Sequence, residues 1–289
     1  GQIIMNTIEW FKKVGAGRNW IYKNNEVGLA LNLAKLARGE EIDFLIWNCI
    51  GFEWFAEKKG EMPSCKITNN LDAAITIYFA NKIEEIAQIL SAVGNPNIKI
   101  LVPSNEALNS NGVWKYRQTK DEREKIIAET VMGLTDFSTI FSLPSNCTLE
   151  VKSWDDYLLS AGAKYSPDYY SQQGVDRLRE SPNFGKIIKE GVNSGLAYFA
   201  QNGVTNIDKS VLEKREIDYY GIYAGEGVYY EEAQESGRGI AVINFEEMRV
   251  SQMSFIGTKG DLAIVTPIKP EQMTAFYRWE TEQINKRKK

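Results

Sequence analysis

The chain has 289 residues, 43% of them hydrophobic and 25% charged, which is the balance of an ordinary globular protein and excludes a disordered or fibrous one. Its formal charge of −4 argues against a protein coated in nucleic acid. It contains no histidine, so imidazole-based triads, histidine general bases and histidine-containing zinc sites are excluded.

Acid–base chemistry must therefore come from Glu, Asp, Lys, Tyr or Cys. The cysteines Cys49, Cys65 and Cys147 are odd in number and at no metal-ligand spacing. They fit a reducing compartment, so a cytoplasmic protein is expected and no metal site is assigned. The apolar runs fall short of the roughly 18 to 20 residues that span a bilayer, and no membrane partner is expected. Gly1 to Asn6 read as an appended segment running into a native start at Met5, without the charged and apolar regions of a secretory signal.

In chain order, Val27, Leu29, Ala30, Leu33, Leu36 and Ala37 recur at helical spacing, and Gly39 stands where such a helix would end. DFLIWN (43–48) is the continuous apolar run of a strand buried on both faces. A loop over 51–69 is expected next, then a long helix through Leu71, Ile75, Phe79, Ile86 and Leu90. IKILV (98–102) is a second buried strand. Thr119 and Glu122 form a capping-box pattern that opens a helix ended by Gly133. Ser153 with Asp156, Ser166 before Pro167 and Ser181 before Pro182 each signal a further helix start, so the middle third reads as helical. A helix over 208–235, the strands GIAVINF (239–245) and DLAIVTPI (261–268), and a helix from Pro270 complete the pattern. The expected fold is α/β and Rossmann-like: a mainly parallel sheet with helices on both faces, in a single domain over 1–289 with a helical insertion at 152–205.

In such sheets ligands bind beyond the carboxyl ends of the strands. The first strand runs out into Asn48 and Glu53, the second into Ser104, Asn105 and Glu106, and these are the expected substrate-binding residues. The plainer reading is that Asn105 and Glu106 only complete a turn. No G-x-G-x-x-G and no P-loop pattern occurs, so neither NAD nor ATP is expected and no cofactor is named. The densest constellation is YYGIYAGEGVYYEE (219–232), on the long helix. Gly221, Gly225 and Gly227 each cost about 1 kcal/mol there against alanine, so another backbone or a ligand should approach closely. Tyr223 and Glu226 share one face and are the candidate catalytic pair, with Tyr220 as a substrate-binding phenol on a neighbouring face. The bland alternative is a packed helix crossing. Lys115, Arg117, Lys120, Arg123 and Lys125 suggest a nucleic-acid face, but Asp121, Glu122, Glu124 and Glu129 cancel most of that charge and favour a solvated helix.

The order DFLIWNCIGFEWF, then Lys58, Lys59, Gly60 and Pro63, a long helix, ILVPSNEA and a Trp-containing loop resembles the isonitrile synthase family. There a strand ends in a lysine-bearing loop and a later one in a Ser-Asp-Gly-Arg-type loop. Ser104, Asn105, Glu106 and Ala107 stand in the second place, and MRVS (248–251) matches a late strand carrying an arginine, Arg249. The resemblance implies isonitrile formation from an amino acid and a pentulose phosphate. From SWDDYL (153–158) through SPNFGKII (181–188) to EIDYYGIYAGEGVYY (216–230) the chain is also similar to cyclodipeptide synthases, which use aminoacyl-tRNA and carry Tyr-x-x-x-Glu on a helix. Glu226 matches that glutamate; Ile222 holds the tyrosine position with Tyr223 beside it, and CIGFEWF offers no counterpart to the nucleophilic serine.

The leading expectation is a small-molecule synthase or transferase of specialised metabolism acting on an amino acid or its derivative. The second is an aminoacyl-tRNA-dependent transferase. A third, non-catalytic reading is a Rossmann-like binding or assembly protein, a homo-oligomer joined through Gly221 and Gly225.

Overall fold

The computed structural model describes residues 1–15, 25–47, 52–55, 64–67, 74–103, 119–201, 205–245 and 263–287. Two helices, α1 (Gln2–Val14) and α2 (Asn25–Ala37), precede strand β1 (Ile42–Trp47). Residues 2–6 belong to α1, which buries Thr7, Ile8 and Phe11. Leu29, Leu33 and Leu36 of α2 are buried as their spacing requires. Gly39 then adopts φ +79°, and its N–H donates to Leu36 O while that of Glu40 donates to Lys35 O, a Schellman turn in which only glycine is unstrained.

The segment expected as a loop contains two short strands, β2 (Phe52–Phe55) and β3 (Ser64–Ile67), paired antiparallel apart from the main sheet. The expected long helix is two helices, α3 (Ala74–Tyr78) and α4 (Ala80–Ser91), interrupted at Phe79 (φ −99°, ψ 23°). Phe79 stacks on Phe245 at 5.3 Å between centroids. β4 (Asn97–Val102) follows.

Helix α5 (Lys120–Ser138) opens with the expected capping box, Thr119 Oγ1 accepting from Glu122 N–H. It does not end at Gly133. A Cβ there would meet nothing within 4 Å, so the glycine costs about 1 kcal/mol without breaking the helix. Lys120 and Lys125 pair with Glu124 and Glu129, in keeping with a solvated surface.

β5 (Thr148–Ser153) was not foreseen. It is an edge strand whose buried positions are only Val151 and Ser153, so its apolar signal is weak. Then come α6 (Trp154–Ser160) and α7 (Pro167–Glu180), capped by Ser153 and Ser166 as expected, α8 (Phe184–Gln201) and α9 (Lys209–Glu235). Ser181 instead terminates α7: the residue before a proline is driven out of the helical region, here to ψ 132°. β6 (Gly239–Ile243), β7 (Ala263–Val265) and α10 (Pro270–Arg287) close the chain.

The five-stranded sheet has the order β5-β4-β1-β6-β7, with every pairing parallel. The chain starts in the middle, winds out to β5, then crosses back to β6 and β7, the doubly wound Rossmann-like order. Side chains alternate through β1: Phe44 and Ile46 enter a core with α1–α5 and α10, whereas Leu45 enters one with α6, α7 and α9. A third core joins α7, α8 and α9. Helices therefore cover both faces, and α9 is packed between the sheet and α7–α8. Among the described residues no helix is long and apolar enough to cross a membrane.

Candidate active site

Asp208 caps α9, its carboxylate accepting from Ser210 N–H at 2.9 Å, and the helix runs unbroken through Gly221, Gly225 and Gly227. Helix α7 explains two of these glycines. A Cβ at Gly225 would collide with the Tyr170 carbonyl, and one at Gly174 with the Gly221 carbonyl and the Gly225 nitrogen. The close approach foreseen from the glycines is thus a helix crossing within the chain. Two side-chain contacts hold it: Tyr170 Oη donates to Glu232 Oε2 at 2.8 Å, and the Arg177 guanidinium grips both oxygens of Glu231 at 3.3 and 2.6 Å.

With α7 behind it, α9 buries Tyr229, Tyr230 and Ala233 in the core between it and the sheet. The Trp47 indole N–H donates to the Tyr230 phenolic oxygen at 3.1 Å. Trp47 is the last residue of β1, so this contact marks the carboxyl edge of the sheet. Trp154 lies 5.2 Å from Trp47 and 6.2 Å from Tyr230, between ring centroids. Because α9 leads directly into β6, it runs against the strands, and one turn back from Tyr230 moves further out over that edge. Glu226 sits there.

Glu226 is 7% exposed, and among the described residues it has no hydrogen-bond or ion-pair partner. Burial pushes its carboxyl well above the usual carboxylate range and so favours the protonated form. Burial likewise raises the Tyr230 phenol, reinforced by the charge Glu226 would bear and opposed by the Trp47 hydrogen bond. A buried carboxyl and a buried phenol thus stand one helical turn apart.

Tyr223, the other half of the expected pair, is half-buried one turn before Glu226 and packs against the same core. Its hydroxyl lies 2.9 Å from that of Tyr219. Tyr220 is on another side of the helix, buried with α7 and α8 side chains rather than with Glu226. Glu53 falls within β2, its backbone opposite Lys66. Asn48, Ser104, Asn105, Glu106 and Arg249 lie outside the described residues. The two segments that carry most of them leave the sheet at one end, since Trp47 is in register with Leu101 across the parallel β1–β4 pair.

No protein-family model and no curated protein matches this chain. Among solved structures the fold is similar to that of a CDPS from Fluoribacter dumoffii, at 12% identity and a TM-score of 0.49, over 82% of this chain and 92% of that one. It is also similar to the PvcA protein from Pseudomonas aeruginosa, at 12% identity and a TM-score of 0.41, over 92% of this chain and 84% of that one. Both are likenesses of fold at low identity.

A second polar cluster occupies the amino end of the same sheet face. Asp43 of β1 accepts from Tyr157 Oη at 2.9 Å and Arg238 Nε at 2.7 Å, and its other oxygen lies 3.2 Å from Lys99 Nζ. Every member belongs to a different element or junction, so the cluster ties α6, β4 and the α9–β6 turn to β1. Asp155, in the first turn of α6, is pushed up to about 6 by burial and by neighbouring Asp156, Asp168 and Glu124. Among the described residues no group of three or more acidic or cysteine side chains is placed to hold a metal ion. Sequence reasoning singled out neither Tyr230 nor Trp47. The available signal was the four-residue step from Glu226 to Tyr230, which puts both on one helix face.

Proposed function

We propose that the protein is an enzyme of specialised metabolism, a synthase or transferase that acts on an amino acid or an amino-acid derivative at the carboxyl edge of its sheet. The single observation that carries this reading is Glu226, a carboxyl only 7% exposed and with no described partner, one helical turn from the Tyr230–Trp47 contact at the carboxyl end of β1, the side on which doubly wound sheets bind ligands. Strongly perturbed carboxyls of this kind concentrate where proton chemistry is done. Glu226 enters the reaction protonated and donates to the substrate group that gains electron density. Tyr223 hydrogen-bonds the substrate beside it. The substrate class comes from the motif likenesses to isonitrile synthases and cyclodipeptide synthases. Asn48, Glu53, Ser104, Asn105, Glu106 and Arg249 orient the substrate in this proposal.

The test is a product screen by mass spectrometry. Wild type and Glu226→Gln are incubated with free amino acids, with and without a pentulose phosphate, and separately with aminoacyl-tRNA. A new product in the wild type, reduced about 100-fold or more in the variant, is expected from loss of an acid catalyst. The arm that yields it identifies the form of the substrate. Equal turnover by a folded Glu226→Gln removes the assignment.

A further inference from the structure

The Tyr230 O–H finds no acceptor among the described residues, and neither does the Glu226 carboxyl one helical turn away, which burial biases towards its protonated form. The Trp47 N–H already occupies the Tyr230 oxygen as a donor, so the phenolic proton must point elsewhere. Donation to that oxygen also polarises the phenol and strengthens any hydrogen bond it gives. Neither hydroxyl has a cation or a base among its described hydrogen-bond and ion-pair partners. Two neutral donors fixed in a buried setting suit a ligand oxygen that becomes negative during reaction, because they need no reorganisation as charge develops. A protonated carboxyl beside a tyrosine is a known solution to this problem in other enzymes.

We propose that Glu226 and Tyr230 form a paired oxyanion-binding site, with Trp47 as the positioning residue behind Tyr230, and that the substrate is a carbonyl compound whose oxygen accumulates negative charge. The inference rests on the reading of Glu226 as a protonated group and adds the second donor and the kind of oxygen they receive. A nucleophile's lone pair forms the new bond to the carbonyl carbon as the C=O π pair moves onto oxygen. When the intermediate collapses that pair re-forms the C=O bond, and the departing group leaves with the electron pair of its bond to carbon. Glu226 and Tyr230 supply hydrogen bonds throughout, and no electrons are gained or lost by the protein.

The experiment uses 4-nitrophenol as the probe, since phenol and phenolate absorb differently and its oxygen imitates the charged one. The intact protein is titrated across pH 5 to 9, roughly the span in which a perturbed phenol ionises. The expected result is dye bound as phenolate, its apparent pKa lowered by about one unit, a ten-fold preference for the anion. Tyr230→Phe and Glu226→Leu each abolish that preference, Glu226→Gln keeps part of it through its N–H donors, and Trp47→Phe weakens it. Circular dichroism establishes that each variant is folded. A bound dye with unchanged or raised pKa overturns the donor pair, as does undiminished preference in Tyr230→Phe or the absence of dye binding. Infrared absorption of the Glu226 carboxyl, assigned with Glu226→Gln, separates the two readings. A neutral Glu226 without phenolate preference removes the pair alone, whereas an ionised Glu226 at neutral pH removes the acid assignment as well.

Discussion

The Trp47 indole donates its N–H to Tyr230 at 3.1 Å, across 183 residues of chain, and so locks the end of β1 to the sheet-facing side of α9. Tyr230 is fully buried, and Trp47 is the only described donor to its oxygen. Trp47→Phe should therefore cost about 1–3 kcal/mol, the penalty for a buried group deprived of its partner together with some lost packing. Urea unfolding measures it; a loss below about 0.5 kcal/mol, the scale of a neutral surface change, would show that the contact contributes nothing.

Stability should depend on pH through two raised carboxyls. A carboxyl whose folded pKa lies above its unfolded value is held in its protonated form by the fold. Its contribution is complete below the unfolded pKa and declines as pH rises towards the folded one. For Asp155 that window runs from 3.8 to about 6, and for Glu226 it opens at 4.5 and extends well above. Asp155→Asn and Glu226→Gln should each be more stable than wild type at pH 8, with the advantage vanishing near pH 4. Thermal melts across that range test this, and a pH-independent difference would contradict it.

The α7–α9 crossing should distinguish glycines by position. Gly225→Ala drives a methyl into the Tyr170 carbonyl, and the resulting overpacking, about 1–3 kcal/mol, exceeds the gain in helix propensity. Gly133→Ala, where a Cβ meets nothing within 4 Å, should instead stabilise by about 0.5–1 kcal/mol. Opposite signs in chemical denaturation are the expected outcome, and stabilisation by both would refute the crossing.

Among the described residues Asp43 is the one acid between two cations, Lys99 and Arg238, with its side chain wholly buried. Asp43→Ala leaves both cations without it and should destabilise by about 3–5 kcal/mol. Asp43→Asn, which keeps an acceptor for Tyr157 and Arg238, should cost less. Equal and small losses for the two variants by urea titration would show that the cluster is not held by charge.

Much of this architecture is local in origin. The buried runs at β1 and β4, the amphipathic α2 with Gly39 beyond it, and the caps at Thr119, Ser153, Ser166 and Asp208 are set by side-chain periodicity and by short-range hydrogen bonds. So is the oddity of Glu226, since a carboxylate and three glycines in one apolar helical stretch conflict with helix propensity whatever surrounds them. Tertiary structure decided the rest. β5 becomes a strand because β4 offers it a parallel edge, and α3 and α4 part at Phe79 where the ring stacks on Phe245. Gly225 faces α7, Tyr220 a different core from Glu226, and Tyr230 the end of β1. Those partners lie many residues away, and neighbours brought together only by folding leave no periodic mark on the chain. The same holds for the raised pKa of Glu226: the carboxyl is written in the sequence, but the burial that pushes it upward is supplied only by the packed helices.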